Sequence, residues 1–451
     1  MNFENGVDGF LQSGLLPIYY SIVAICALFV LIKFQFKPIA VFSVLLFWEG
    51  LFSYFAVSYP VISGIYKIGF VIIAILLFGK TLSRRKTAKE KTINFLFFSL
   101  GITILISGYL NNNDFLTMGS QFLKKYSIPF LFYYGLKRKV KTEKNPGWVM
   151  NLLTWILGFQ ILFGLLKLVL FGFGESLVGS VSFNGGAPSN IIPVLGFLVI
   201  WVKSNGTMRR NDWIFVFGLL VLATIGNKRS VVIILPLVIA ATMVYVKKST
   251  TLFSLIKYLP VAVTILIMGV ITNPSLNPEQ SRLGSFDINY LSEYVVDYTF
   301  GKKQSNSEEE VEQGRGGSFI SIITVTSLKL STKEYLFGRG MEAVFTKDYE
   351  SFDASYYGVL SKGSTGAAIQ NFISFGLIGM ILTWLFGISI IRTLNNKNLK
   401  WILFVFVTWD YILFYNSTII INSMSLLLVT IILFFNQYEN LILSKPIKIR
   451  F

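Results

Sequence analysis

The feature that most constrains this chain is a series of apolar runs of roughly 17–25 residues, separated by short polar or basic stretches. A helix rises 1.5 Å per residue, so about 20 apolar residues cross about 30 Å of hydrocarbon. Hydrophobic residues make up 53% of the 451 and charged residues only 14%. A soluble domain carries about 25% charged residues. A soluble fold would need many helices that are apolar all round. The fold class predicted is therefore all-α, a polytopic integral membrane protein.

Spans are predicted at 14–34, 38–58, 61–80, 92–110, 121–136, 148–172, 187–203, 212–227, 230–246, 252–271, 366–391, 401–417 and 418–436. That is about 13 transmembrane helices, within a range of 12–14. The segment 121–136 has the weakest signal, being short and carrying Lys124 and Lys125. Charge argues for keeping it. Cytoplasmic loops are enriched in Lys and Arg, and the stretches 80–91, 137–144, 203–210, 247–248, 392–400 and 445–450 are all basic. Thirteen spans with the N-terminus outside put every one of them in the cytoplasm, and the C-terminus with them. Dropping 121–136 would separate KRKVKTEK from KTLSRRKTAKEK.

Three regions are expected: an N-terminal bundle of about ten spans (1–272), a large extracytoplasmic loop with short helices (273–365), and C-terminal spans with a basic tail (366–451). The loop holds thirteen of the 23 acidic residues, among them Glu308, Glu309, Glu310 and Glu312. The net charge of +17 is explained by cytoplasmic loops rather than by nucleic acid. One cysteine, Cys26, excludes a disulfide framework, and the absence of histidine removes the commonest general base and metal ligand. The start of the chain is acidic (Glu4, Asp8) and does not read as a cleavable signal. No metal-ligand spacing exists. Gly79-Lys80-Thr81 ends like a phosphate loop, but Ala74 replaces its first glycine; Gly172-Phe173-Gly174 lacks the third glycine of a dinucleotide fingerprint. No metal, nucleotide or other cofactor is expected.

A second population of cations lies toward the outer halves of the spans: Lys67, Lys124, Lys125, Lys167, Lys228 and Arg229. A charge deep in a span costs about 2.5–3.5 kcal/mol on insertion scales, so it faces a cavity, a partner or the surface. Lys167 and the inner-side Lys257 are expected to snorkel. Lys228 and Arg229, adjacent in the turn ATIGNKRSVV, suit an anionic ligand such as a phosphate or diphosphate headgroup, because guanidinium binds such oxygens bidentately. Glu49 and Asp410, the intramembrane acids, are expected to pair with outer-half lysines.

The stretch 314–344 (GRGGSFISIITVTSLKLSTKEYLFGRGMEAV) resembles the outer loop of the O-antigen ligase and polymerase superfamily. In that family an arginine opens a helix leading to a Leu-Phe-Gly-x-Gly turn, here Arg315 and Leu336 to Gly340. IQNFISFGLIGMIL (369–382) resembles the segment re-entering the membrane, with Asn371 and Gly376 to Gly379. GNKRSVVIILP (226–236) is similar to the family's Ser-Arg turn, with Arg229 in the arginine position; GSVSFNGGAPSNII (179–192) is similar to its earlier outer loop, with Pro188 and Asn190. The resemblance covers roughly residues 175–390. Two departures matter: Gln370 stands where ligases carry a histidine, and the arginine before the Gly-x-Phe motif of the earlier loop is missing. Both favour a Wzy-type polysaccharide polymerase over a ligase.

The resemblance implies a bacterial cytoplasmic membrane enzyme that joins oligosaccharide repeat units carried on undecaprenyl diphosphate, with membrane lipid, a flippase and a chain-length regulator as partners. The product is an O-antigen, capsule or exopolysaccharide. The leaving diphosphate would be stabilised by Arg229 and Arg315, with Arg339 beside them. Lys228, Arg282, Lys124, Lys125, Asn190, Gln370 and Asn371 would bind substrate, and Glu293, Glu342 or Asp353 would serve as base from a dry cleft. A lipid-linked oligosaccharide flippase accounts equally well for the spans and the cavity-facing cations, but it does not require a long outer loop.

Overall fold

A computed structural model describes residues 14–59, 61–62, 66, 69, 72, 75, 86–142, 146–172, 179–181, 188–226, 229–243, 252–281, 283–300, 315–340, 365–413 and 422–444. Among these every regular element is helical. The helices are α1 (Leu16–Lys33), α2 (Pro38–Phe47), α3 (Glu49–Ser58), α4 (Ala88–Leu110), α5 (Phe115–Phe122) and α6 (Ile128–Thr142). They continue with α7 (Trp148–Phe171), α8 (Pro188–Lys203), α9 (Arg210–Ile225), α10 (Arg229–Ala241), α11 (Leu252–Thr272) and α12 (Ile288–Phe300). The last are α13 (Arg315–Lys329), α14 (Thr332–Phe337), α15 (Ala367–Ile391), α16 (Lys397–Leu413) and α17 (Asn422–Ser444).

Among the described residues four helices, α1, α4, α7 and α15, are long and apolar enough to cross a membrane; most of the predicted span 61–80 lies outside the described residues. The α2–α3 pair is a fifth if its 59° bend is one broken span. Thirteen spans were expected. The difference lies partly in length, since α8, α9 and α10 have 16, 16 and 13 residues against the roughly 20 that a full crossing needs.

The predicted span 38–58 breaks at Trp48. In hydrocarbon each freed backbone group must find a partner inside the protein. The Ser180 hydroxyl donates to the Phe47 carbonyl (2.8 Å), and the Gly50 N–H donates to the Ser180 carbonyl (2.9 Å). Gln160 on α7 holds Ser180 in turn, its Oε1 accepting from the Ser180 N–H at 2.9 Å. Trp48 is fully buried at the bend, donating its indole N–H to the Val23 carbonyl at 2.9 Å. Around it α1 and α7 pack through rings: Trp48 meets Phe163 edge-on at 5.8 Å, and Tyr19 meets Phe163 at 6.4 Å.

Lys167 departs from expectation. It does not snorkel; it lies fully buried on the α7 face turned toward α1, its Nζ 5.3 Å from the Tyr19 ring centroid. Val169, two residues on and across the helix, is 81% exposed. Glu49 opens α3, where a carboxylate favourably meets the helix dipole.

Basic stretches gather at one end of the bundle. Lys137 of KRKVKTEK pairs with Glu90 of KTLSRRKTAKEK at 2.8 Å. Helix α6 extends to Thr142, so part of the expected 137–144 connection is helical. Lys400 stands near Lys89, Arg392 and Lys397 at the same end. From there the 23 residues of α4 run to the opposite end, where α14 meets them.

Candidate functional site

Helix α15 does not run straight. Gly376 has φ 68° and ψ −171°, a backbone region open essentially to glycine alone. Helix α14 ends at Gly338, with φ 73° and ψ −171°. These two turns dock backbone to backbone. A methyl group on Gly376 would collide with the backbone of Leu336 and Phe337; one on Gly338 would meet the backbone of Ser374, Phe375 and Gly376.

The break in α15 frees carbonyls that the docked turn then satisfies. Arg339 N–H donates to the Ile373 carbonyl (2.8 Å) and Gly340 N–H to the Ser374 carbonyl (3.0 Å). From α4, the Ser107 hydroxyl also donates to the Ser374 carbonyl at 2.8 Å. Asn111, just past the end of α4, donates to the Gly338 carbonyl at 3.0 Å, and the Lys333 ammonium donates to the Leu110 carbonyl at 2.6 Å. Asn113 lies against Gly340, and its buried Oδ1 accepts no hydrogen bond among the described residues. Three segments distant in sequence thus form one polar knot at the end opposite the Glu90–Lys137 pair.

Arg339 leaves this knot with its side chain 41% exposed and its Nε 3.3 Å from Glu334. Glu334 closes a capping box with Ser331. Burial pushes the Glu334 carboxyl upward, but hydrogen bonds from the Ser331 hydroxyl and N–H, with the Arg339 and Lys333 charges, hold it below the usual range. Tyr335 of α14 packs edge-on over Phe372 at 5.5 Å.

Beneath the break lies a buried polar line. Asn371 is 2% exposed; its Oδ1 accepts from Tyr126 (3.0 Å) and its Nδ2 donates to Tyr411 (3.1 Å). Tyr411 donates onward to the Met380 carbonyl at 2.9 Å. Gln370, also buried, donates to the Thr365 hydroxyl at 3.4 Å. Tyr126 belongs to a π-helical turn, Leu123–Ser127, that interrupts the predicted span 121–136. The backbones of Lys124 and Lys125 lie in this turn, and Lys125 is half-buried. Extra-wide turns of this kind recur at functional sites.

Among the sequence candidates, the structure brings Arg339, Asn371 and the Lys124–Lys125 turn around one break in α15. Arg229 is the first residue of α10 and Arg315 the first of α13, while Asn190 lies in the first turn of α8. The side chains of all three, and of Lys124, lie outside the described residues, as do Lys228, Arg282, Glu342 and Asp353. Glu293 is exposed on α12 rather than enclosed in a dry cleft. Asp410 is buried in α16, beside Tyr411 in sequence. Among the described residues no group of three His, Cys, Asp or Glu forms a metal site.

Ser107, Asn111, Tyr126 and Tyr411 went unremarked as site residues in the sequence. A run of three asparagines, 111–113, immediately after an apolar helix was the available signal. Such side chains cap turns and take up freed backbone groups. The chain matches no protein-family model and no curated protein.

Proposed function

We propose that this protein polymerises oligosaccharide units carried on a polyprenyl diphosphate, acting at the membrane face opposite its basic end. The supporting observation is the docking of the 336–340 turn onto the break at Gly376, which holds Arg339 over the end of the bundle. A mobile loop charge would not be preorganised. Here two backbone hydrogen bonds fix the main chain at Arg339 and Glu334 orients its guanidinium, and preorganisation is a source of electrostatic catalysis.

In this reading thirteen spans put the N-terminus and the 273–365 segment outside. An acceptor hydroxyl attacks the anomeric carbon of the donor. The carbon–oxygen bond to diphosphate breaks, the lipid diphosphate leaves with the electron pair, and the hydroxyl proton passes to a base or to water. Arg229, Arg315 and Arg339 offset the charge that builds on the departing diphosphate. Each of the first two begins a helix, where the dipole adds to their positive potential. Gln370 in the ligase histidine position is consistent with a mechanism that uses no imidazole.

The test uses the full chain in vesicles containing lipid-linked repeat units, without a gradient. Arg229→Gln and Arg315→Gln should each lower the chain-extension rate by about 10²–10³-fold, leaving single units on lipid. Normal polymer from both variants would overturn the assignment. Movement of the lipid across the bilayer with no elongation by the wild type would favour the flippase.

A further inference from the structure

A groove of about 400 Å³ runs along α7 beside α9, lined by none of the residues at the Gly376 break. This is the size range of small-molecule sites. Its wall is apolar, formed by Trp155, Phe159, Leu162 and Phe215. One end is polar, with Asn151, Thr154 and Lys203. Lys203 lines that end, and a second ammonium, that of Lys33, lies against the wall residue Trp155. Lys203 Nζ donates to the Thr154 hydroxyl at 3.2 Å, and Lys33, at the end of α1, sits 3.7 Å from the centre of the Trp155 ring. Both lysines are exposed and free to meet a further anion at their open side. Asp212, at the start of α9, accepts from the Ser204 hydroxyl (2.9 Å) and the Arg209 N–H (2.8 Å), and its negative charge also reaches Lys203 without an ion pair forming between them.

The wall itself faces outward: Trp155 and Leu162 are 40% and 48% exposed. A slot with an exposed apolar wall, one cation at its polar end and a second over the Trp155 ring, has the polarity of a lipid with an anionic head. Gly158 makes the slot possible, since the absent side chain leaves the groove open between Phe159 and Phe215. We propose that this groove binds one anionic phospholipid of the phosphatidylglycerol type. Its phosphate pairs with Lys33 and Lys203, and one acyl chain lies along Trp155, Phe159 and Leu162. The site is separate from the glycan chemistry and stands whether or not that reading holds.

Native mass spectrometry of the full-length protein in detergent, titrated with equal phosphatidylglycerol and phosphatidylcholine, reads the proposal directly. A lysine near a net-anionic headgroup is worth about fivefold in binding, so two should give roughly tenfold or more selectivity for phosphatidylglycerol over the zwitterionic phosphatidylcholine. Lys33→Gln with Lys203→Gln should bring the ratio close to one. Gly158→Leu keeps both charges but fills the slot, and should lower tight occupancy several-fold. Equal occupancy by the two lipids in the wild type, or selectivity unchanged by the lysine substitutions, overturns the site.

Discussion

Two broken helices in this molecule are repaired in opposite ways. At Trp48 the chain bends and the gap is filled with side-chain volume: the indole, Phe163 and Tyr19, with Gln160 and Ser180 taking the freed backbone groups. At Gly376 the chain bends and the gap is closed by removing side chains, so that a second backbone turn lies directly against the first. The first solution distributes its energy over many contacts, and each can adjust. The second depends on two positions where no other residue fits. A scaffold tolerates the first kind. A site that must hold a charge in one place gains from the second.

Substituting the glycines should break the comparison most severely. Gly376→Ala or Gly338→Ala combines a backbone collision with a φ that alanine avoids, for a cost of at least about 3 kcal/mol. Gly158→Ala in α7, whose new methyl would meet Phe215 at an ordinary 3.5 Å, should instead stabilise by about 0.5–1 kcal/mol. Thermal unfolding in detergent separates the two, and equal shifts would remove the distinction drawn between the breaks. Next in size is Asn371→Ala, which strips a buried partner from Tyr126 and Tyr411 and should cost about 1–3 kcal/mol. If Asn371→Ala unfolds with the wild type, the polar line below the break is not structural.

Trp48→Phe sharpens the other side of the comparison. It keeps most of the ring packing and loses one hydrogen bond to Val23, so about 1 kcal/mol is expected by the same unfolding measurement. A loss as large as that of Gly376→Ala would show the aromatic region to be no more forgiving. The smallest effect is set by pH. The Glu334 carboxyl is held below its ordinary value in the folded state, so its contribution is present above about pH 4.3. It is lost as pH falls through the lowered folded value. A wild-type minus Glu334→Gln difference in melting temperature, followed from pH 6 downward, should shrink only in that acid window. A difference that is flat throughout would detach the cap from its charge.

Much of this molecule was legible in the chain because of one strong rule: apolar length. The positions of α1, α4, α7 and α15 follow from runs that must be satisfied within a helix once out of water. The common side of KTLSRRKTAKEK and KRKVKTEK followed from charge, and the Lys137–Glu90 pair agrees with it. Glycines 338, 340 and 376 stood out in the sequence as motifs, but nothing local said that they touch. Lys167 was misjudged for a related reason. Hydropathy marks a cation in a span without saying which face carries it, and only the packing of α1 on α7 put it under Tyr19.

The sequence by itself determined that the chain is helical, that several helices suit a bilayer, and which stretches carry the basic charge. Those properties are sums over neighbouring residues, so local composition is enough. Only the tertiary structure decided that a turn near residue 338, a helix break at 376 and the end of α4 form one knot. It also decided that Phe47 and Ser180, 133 positions apart, repair one bend. Pairings across such distances depend on which carbonyls a break leaves free and which donors the fold delivers to them, and neither is written in any one segment.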